Sequence, residues 1–150
     1  MKEILEKRRA QCAQILDNLV AAQPFPFDDH LTSRVPEKHG LYAITRRDAS
    51  GAVEYLYAGR SKTGATGLRR RICNDHFNDG GGASGSDLPD LVAKRQLGIL
   101  DGASKRHNCE KAAAYIREHY QVQWVEVEDS DLRCWAEHYV LSILRPTWSQ

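Results

Sequence analysis

The stretch HGLYAITRRDASGAVEYLYAGRSKTGATGLRRRI, residues 39–72, sets two phenols beside glycines and follows them with cations. Tyr42 closes Gly40-Leu41-Tyr42 and Tyr57 opens Tyr57-Ala58-Gly59; Arg60, Lys62, Arg69, Arg70 and Arg71 come next, with no acid among residues 60–71. A phenol acts as a base only when its pKa, ordinarily about 10, is pulled down or another base relays the proton, and nearby cations pull it down. A guanidinium grips phosphate oxygens through paired hydrogen bonds and keeps its charge at any relevant pH. Far downstream, Glu137 borders an apolar stripe of Leu132, Trp135, Ala136, Tyr139, Val140 and Ile143. A carboxylate at such a border needs a partner, and a bound metal would be one. Each residue also has an ordinary reading: tyrosines in a hairpin usually pack, and an arginine run is usually a solvated face.

These groups need elements to hold them. Leu41-Tyr42-Ala43-Ile44 and Val53-Glu54-Tyr55-Leu56-Tyr57 are β-prone, and Arg46-Arg47-Asp48-Ala49-Ser50-Gly51 is turn chemistry, so residues 40–59 predict a β-hairpin. With Arg46 opposite Val53, Ile44 faces Tyr55 and Tyr42 faces Tyr57, which puts both motif tyrosines on one side. Residues 68–77 start a helix through Leu68 and Ile72, NDGGGASGS (78–86) reads as a flexible loop, and 87–100 and 110–120 read as two further helices. VQWVEV is a third strand, and 129–144 a last helix capped by Asp129, Ser130 or Asp131, with Pro146 beyond its end. Ahead of all this, residues 3–21 carry Leu5, Cys12, Leu16, Leu19 and Val20 at helical spacing; Pro24 and Pro26 break that helix, and 23–38 reads as an extended surface connector.

The order α-β-β-α-α-α-β-α indicates an α+β fold: a small three-stranded, mainly antiparallel sheet flanked by helices, with an extra N-terminal helix. The 150 residues suit one core, divided into an N-terminal helix and connector (1–37) and a main domain (38–150). With 41% hydrophobic and 27% charged residues, neither a disordered nor a membrane protein is expected, and no apolar run reaches spanning length. The four cysteines lack the tight spacings of a secreted scaffold, which favours free thiols and a cytoplasmic location. A formal net charge of +1 does not advertise nucleic-acid binding, so any basic surface is local. Cys73, His76, Cys134 and His138 could in principle ligate zinc, which would compete with any other role of His76.

In order, G-L-Y, Y-A-G, L-x-x-R-I on a helix, a late helical glutamate and P-x-W resemble the GIY-YIG nuclease superfamily over residues 38–150. The resemblance implies metal-assisted hydrolysis of phosphodiester bonds, with Tyr42 and Tyr57 as the motif tyrosines and Arg71 as the helix arginine. It makes Glu137 the ligand for Mg²⁺ or Mn²⁺. Relatives carry a histidine or tyrosine four residues after the arginine; here Asp75 holds that place and His76 is one residue later. His76 is the candidate general base or partner of Tyr42, with Asp75 its rival. Relatives also end on P-x-W-N, where this chain has Pro146-Thr147-Trp148-Ser149. The expected function is a divalent-metal-dependent endonuclease acting on DNA, branched or damaged substrates included, with Arg60, Lys62, Arg69 and Arg70 holding the backbone. The alternatives are a catalytically degenerate nucleic-acid-binding module, or an interaction protein that dimerises or docks a partner through its N-terminal helix.

Overall fold

The computed structural model describes residues 1–62, 64–75, 92–98 and 105–148; His76, the glycine-rich stretch 78–86 and Ser149 lie outside them. Helix α1 (Lys2–Ala21) stops short of Pro24, as the missing amide requires. There follow β1 (Phe25–Pro26), a single turn α2 (Leu31–Arg34), β2 (Gly40–Arg47) and β3 (Val53–Arg60). A short turn α3 (Gly67–Arg69) runs on as a π-helical segment, Arg70–Asp75, and a second π-helical segment spans Val92–Gln96. Helix α4 (Lys105–His119), β4 (Gln121–Glu126) and α5 (Ser130–Leu144) complete the described chain.

The fold is α+β, and its sheet has four strands rather than three, in the order β1-β4-β2-β3, every pair antiparallel. The additional strand is only Phe25 opposite Val122 and Pro26 opposite Gln121. Two residues leave no periodic signal, and a proline is tolerated there because the strand lies at the sheet edge. The connector 23–38 does not merely wrap the surface: Phe27, Leu31 and Val35 are buried in the same core as Tyr42, Ile44, Leu68 and Ile72.

Strand β2 is covered on both faces. Its alternation sends Leu41 and Ala43 toward Leu16 and Leu19 of α1 and Ala136 and Val140 of α5, while Tyr42 and Ile44 enter the opposite cluster with Leu68, Ala112 and Ile116. The hairpin turn is closed by Asp48, whose carboxylate accepts from the amides of Ser50 at 2.8 Å and Ala52 at 3.0 Å, with Gly51 at φ 84°. The register differs from the one expected from sequence. Arg47 faces Val53 and Thr45 faces Tyr55; a bulge between Ile44 and Thr45 then leaves Leu56 unopposed, so Ile44 faces Tyr57 and Tyr42 faces Gly59. The C-terminal turn docks beside that bulge, where the Thr147 amide donates to the Tyr55 carbonyl (3.0 Å) and the Trp148 amide to Leu56 (2.8 Å). The buried Trp148 ring meets Tyr120 edge-on at 5.8 Å.

Of the three candidate caps for α5, Asp129 is the one used, accepting from the Leu132 amide at 2.8 Å. The helix is turned relative to the stripe read from hydrophobicity. Trp135 and Ile143 are more than half exposed, at 54% and 56%, and the buried positions are Arg133, Ala136 and Val140. Arg133 is admitted inside because its guanidinium donates to the carbonyls of Val127 (2.9 Å) and Glu128 (3.1 Å). That rotation brings Glu137, the next residue after Ala136, toward the sheet. Among the described residues no helix is long and apolar enough to cross a membrane.

Candidate functional site

The two motif glycines are required by space. A Cβ on Gly59 would lie 2.8 Å from the Tyr42 hydroxyl oxygen and 3.1 Å from its Cζ, so the phenol packs flat over the glycine it faces. A Cβ on Gly40 would run into the Val125 carbonyl oxygen of the neighbouring strand. Gly67 opens α3 at φ 44° against the Lys38 carbonyl, which accepts from the Leu68 amide at 2.8 Å and so fixes where the arginine-bearing segment begins.

Although Tyr42 and Tyr57 are not directly opposite, they share a face as diagonal neighbours. Their rings stack at 6.2 Å with 24° between planes. Tyr42 is fully buried and Tyr57 half-buried. From the π-helical segment, the Arg71 Nε–H donates to the Tyr42 hydroxyl at 3.2 Å. The neighbouring cation Arg71 does act to lower the Tyr42 pKa, as expected, but it is outweighed. Burial, then the neighbouring Tyr57, hold the phenol well above its ordinary value, and Arg71 offsets only part of that. The Glu137 carboxylate lies close enough to oppose Tyr42 ionisation as well.

Of the cations read as backbone grips, Lys62 and Arg70 are exposed to solvent. Arg69 is tied inward: its Nε donates to the Val35 carbonyl at 2.9 Å and its terminal nitrogen to Glu37 at 2.6 Å, pinning the connector to α3. Arg60 turns to the opposite face from Tyr57 and forms an ion pair with Glu137, Nε to Oε1 at 3.4 Å. Beside it the buried Ser61 hydroxyl accepts from the Gly40 amide and meets His39 Nδ1, both at 3.0 Å, locking the start of β2 to the end of β3.

The structure thus brings Tyr42, Tyr57 and Arg71 into one cluster, sets Glu137 within electrostatic reach, and places Lys62 and Arg70 at the surface. His76 falls outside the described residues. The partnership of Arg60 with Glu137 escaped the sequence reading, although the two-residue strand period contained its signal: from Tyr57, Gly59 returns to the same face and Arg60 does not. Among the described residues no three or more His, Cys, Asp or Glu side chains converge as a metal cage. A single, partly exposed carboxylate suits a hard ion of the Mg²⁺ type, which is held by one or two carboxylates, retained waters and substrate phosphate. Comparisons with protein-family models, curated proteins and solved structures return no match for this chain.

Proposed function

We propose that this protein is a divalent-metal-dependent endonuclease of the GIY-YIG type, hydrolysing phosphodiester bonds in DNA. The observation that carries this reading is the Arg71–Tyr42 hydrogen bond at 3.2 Å, made beneath the stacked Tyr57 and within electrostatic reach of Glu137. It holds by its Nε a guanidinium of the kind that grips the non-bridging oxygens of a phosphate. Tyr42, buried and held neutral, positions Arg71 rather than taking a proton itself. Tyr57 is the phenol with a solvent-facing edge and the one placed to orient the attacking water. Glu137 would hold Mg²⁺ or Mn²⁺, which when bound supplies charge neutralisation and acidifies a coordinated water. Lys62 and Arg70 steer the nucleic-acid backbone.

The test is nicking of supercoiled plasmid with Mg²⁺ or Mn²⁺ by the wild type, Arg71→Ala and Glu137→Ala. The wild type should nick, and each substitution should reduce the rate roughly a hundredfold or more, the scale of losing one preorganised charge contact. Full activity in either variant with its circular dichroism unchanged would remove that residue from the site. Wild-type inactivity on plasmid, branched and single-stranded DNA would leave binding without cleavage as the function. One observation favours that second reading: the Glu137 carboxylate already has Arg60 as its counter-ion.

A further inference from the structure

We infer that Arg60 is an internal competitor for the Glu137 carboxylate, which holds it against divalent cations until a polyanion draws the guanidinium away. The inference rests on the reading of Glu137 as the metal ligand, and it gives Arg60 a role opposite in sign to a simple phosphate grip.

The placement follows from the strand. Arg60 is the last residue of β3 and pairs with Leu41, so it shares the face on which Leu41 packs against α1 and α5. Glu137 reaches the same place because α5 is rotated to bury Arg133, Ala136 and Val140. The result is the 3.4 Å contact between Arg60 Nε and Glu137 Oε1. A guanidinium and a divalent cation cannot both sit against one carboxylate without strong repulsion, so whatever holds Arg60 there weakens the metal.

The pair is also suited to being broken. Its side chains are 33% and 21% exposed, which places it among partly solvated ion pairs of modest strength rather than among the sealed pairs whose rupture strands a buried charge. Arg60 stands two residues before the exposed Lys62, on the cationic stretch that continues to Arg70 and Arg71. A phosphate arriving on that stretch offers the guanidinium an acceptor at least as good as the carboxylate. Binding of the polyanion and loading of the carboxylate then favour one another, and by linkage the effect is reciprocal. The cation would be held weakly by the protein alone and more firmly once its substrate is engaged.

The experiment titrates Mn²⁺ into the full chain without DNA, following free Mn²⁺ by electron paramagnetic resonance. It compares wild type, Arg60→Gln, Arg60→Lys, Glu137→Gln and the double variant Arg60→Gln/Glu137→Gln, all checked by circular dichroism. Glutamine keeps most of the arginine stem and removes its charge, so the packing along β3 is retained. Arg60→Gln should bind Mn²⁺ roughly fivefold more tightly or better, the scale set by a partly exposed ion pair and the repulsion removed with it. Arg60→Lys should stay near wild type, and the gain should vanish in the double variant. Equal or weaker Mn²⁺ binding by Arg60→Gln, with Glu137→Gln still lowering affinity, overturns the competition and leaves Glu137 as a ligand. If Glu137→Gln changes Mn²⁺ affinity in neither background, the ligand assignment fails and the competition fails with it.

Discussion

At the scale of single residues, the decisive group is a tyrosine that the protein keeps from ionising. Tyr42 is fully buried, stacked on Tyr57 and bonded by Arg71, and burial outweighs the guanidinium in setting its proton affinity. Its folded-state pKa is raised, so the neutral phenol stabilises the fold at every pH below the unfolded value of about 10. Above that, the unfolded chain releases a proton that the folded chain retains, and stability falls until the folded value is passed. Burial also raises Tyr120 and Tyr55, which add to the same alkaline decline. Tyr42→Phe should flatten part of this decline in urea unfolding followed from neutral to alkaline pH. At neutral pH it should cost about 1 kcal/mol for the lost hydrogen bond and lower nicking by loosening Arg71. An alkaline decline identical to wild type would show that Tyr42 titrates normally. Strand alternation made it legible that the two tyrosines share a face. The sign of the pKa shift was not legible, because it depends on how completely helices from distant parts of the chain close over the ring.

At the scale of elements, two irregularities do the positioning. The bulge between Ile44 and Thr45 displaces the register by one residue so that Tyr42 faces Gly59 rather than Ala58, and only a glycine leaves room for the phenol. Gly59→Ala should therefore be costly. The new methyl meets the hydroxyl of a fully buried side chain at 2.8 Å, so the ring must shift inside the core to admit it. We expect a loss of about 1–3 kcal/mol by urea denaturation, as for overpacked cores, together with impaired nicking from displacement of Tyr42 and Arg71. Stability and nicking both unchanged would mean that the strand relaxes around the methyl. Sequence revealed the glycine and the hairpin but not the bulge, since periodicity marks strands and cannot count an inserted residue. The same limit explains α5, where hydrophobicity placed Trp135 and Ile143 inside and gave no sign of the buried Arg133. The carbonyls of Val127 and Glu128 that admit Arg133 belong to the chain just before the helix and exert no pull visible in its pattern.

At the scale of the molecule, most of the described arginines near the sheet are already spoken for. Arg60 is paired with Glu137, Arg69 with Glu37, Arg46 with Glu54 and Arg117 with Asp29. With a formal net charge of +1 there is no general field to gather a polyanion, so among the described residues of the proposed site attraction falls to the exposed Lys62 and Arg70 and to the proposed phosphate ligand Arg71, with Arg60 joining once it leaves Glu137. Each phosphate neutralised contributes about 0.9 to the slope of log affinity against log salt. Three or four contacts therefore predict a shallow slope of roughly −3 to −4 for duplex DNA. Lys62→Ala and Arg70→Ala should each make it shallower by about 1, whereas Glu37→Ala, which removes the counter-ion of Arg69, should not weaken binding. The measurement is fluorescence anisotropy of a labelled duplex across a salt series. A much steeper slope would require a larger cationic surface than this one, supplied by a second copy or by residues outside those described. A slope near zero would remove the nucleic-acid backbone as the partner of these cations. The sequence shows the cationic run plainly, yet it cannot show which members are neutralised at home, because Glu37 and Glu137 reach them only through the folding of the connector and of α5.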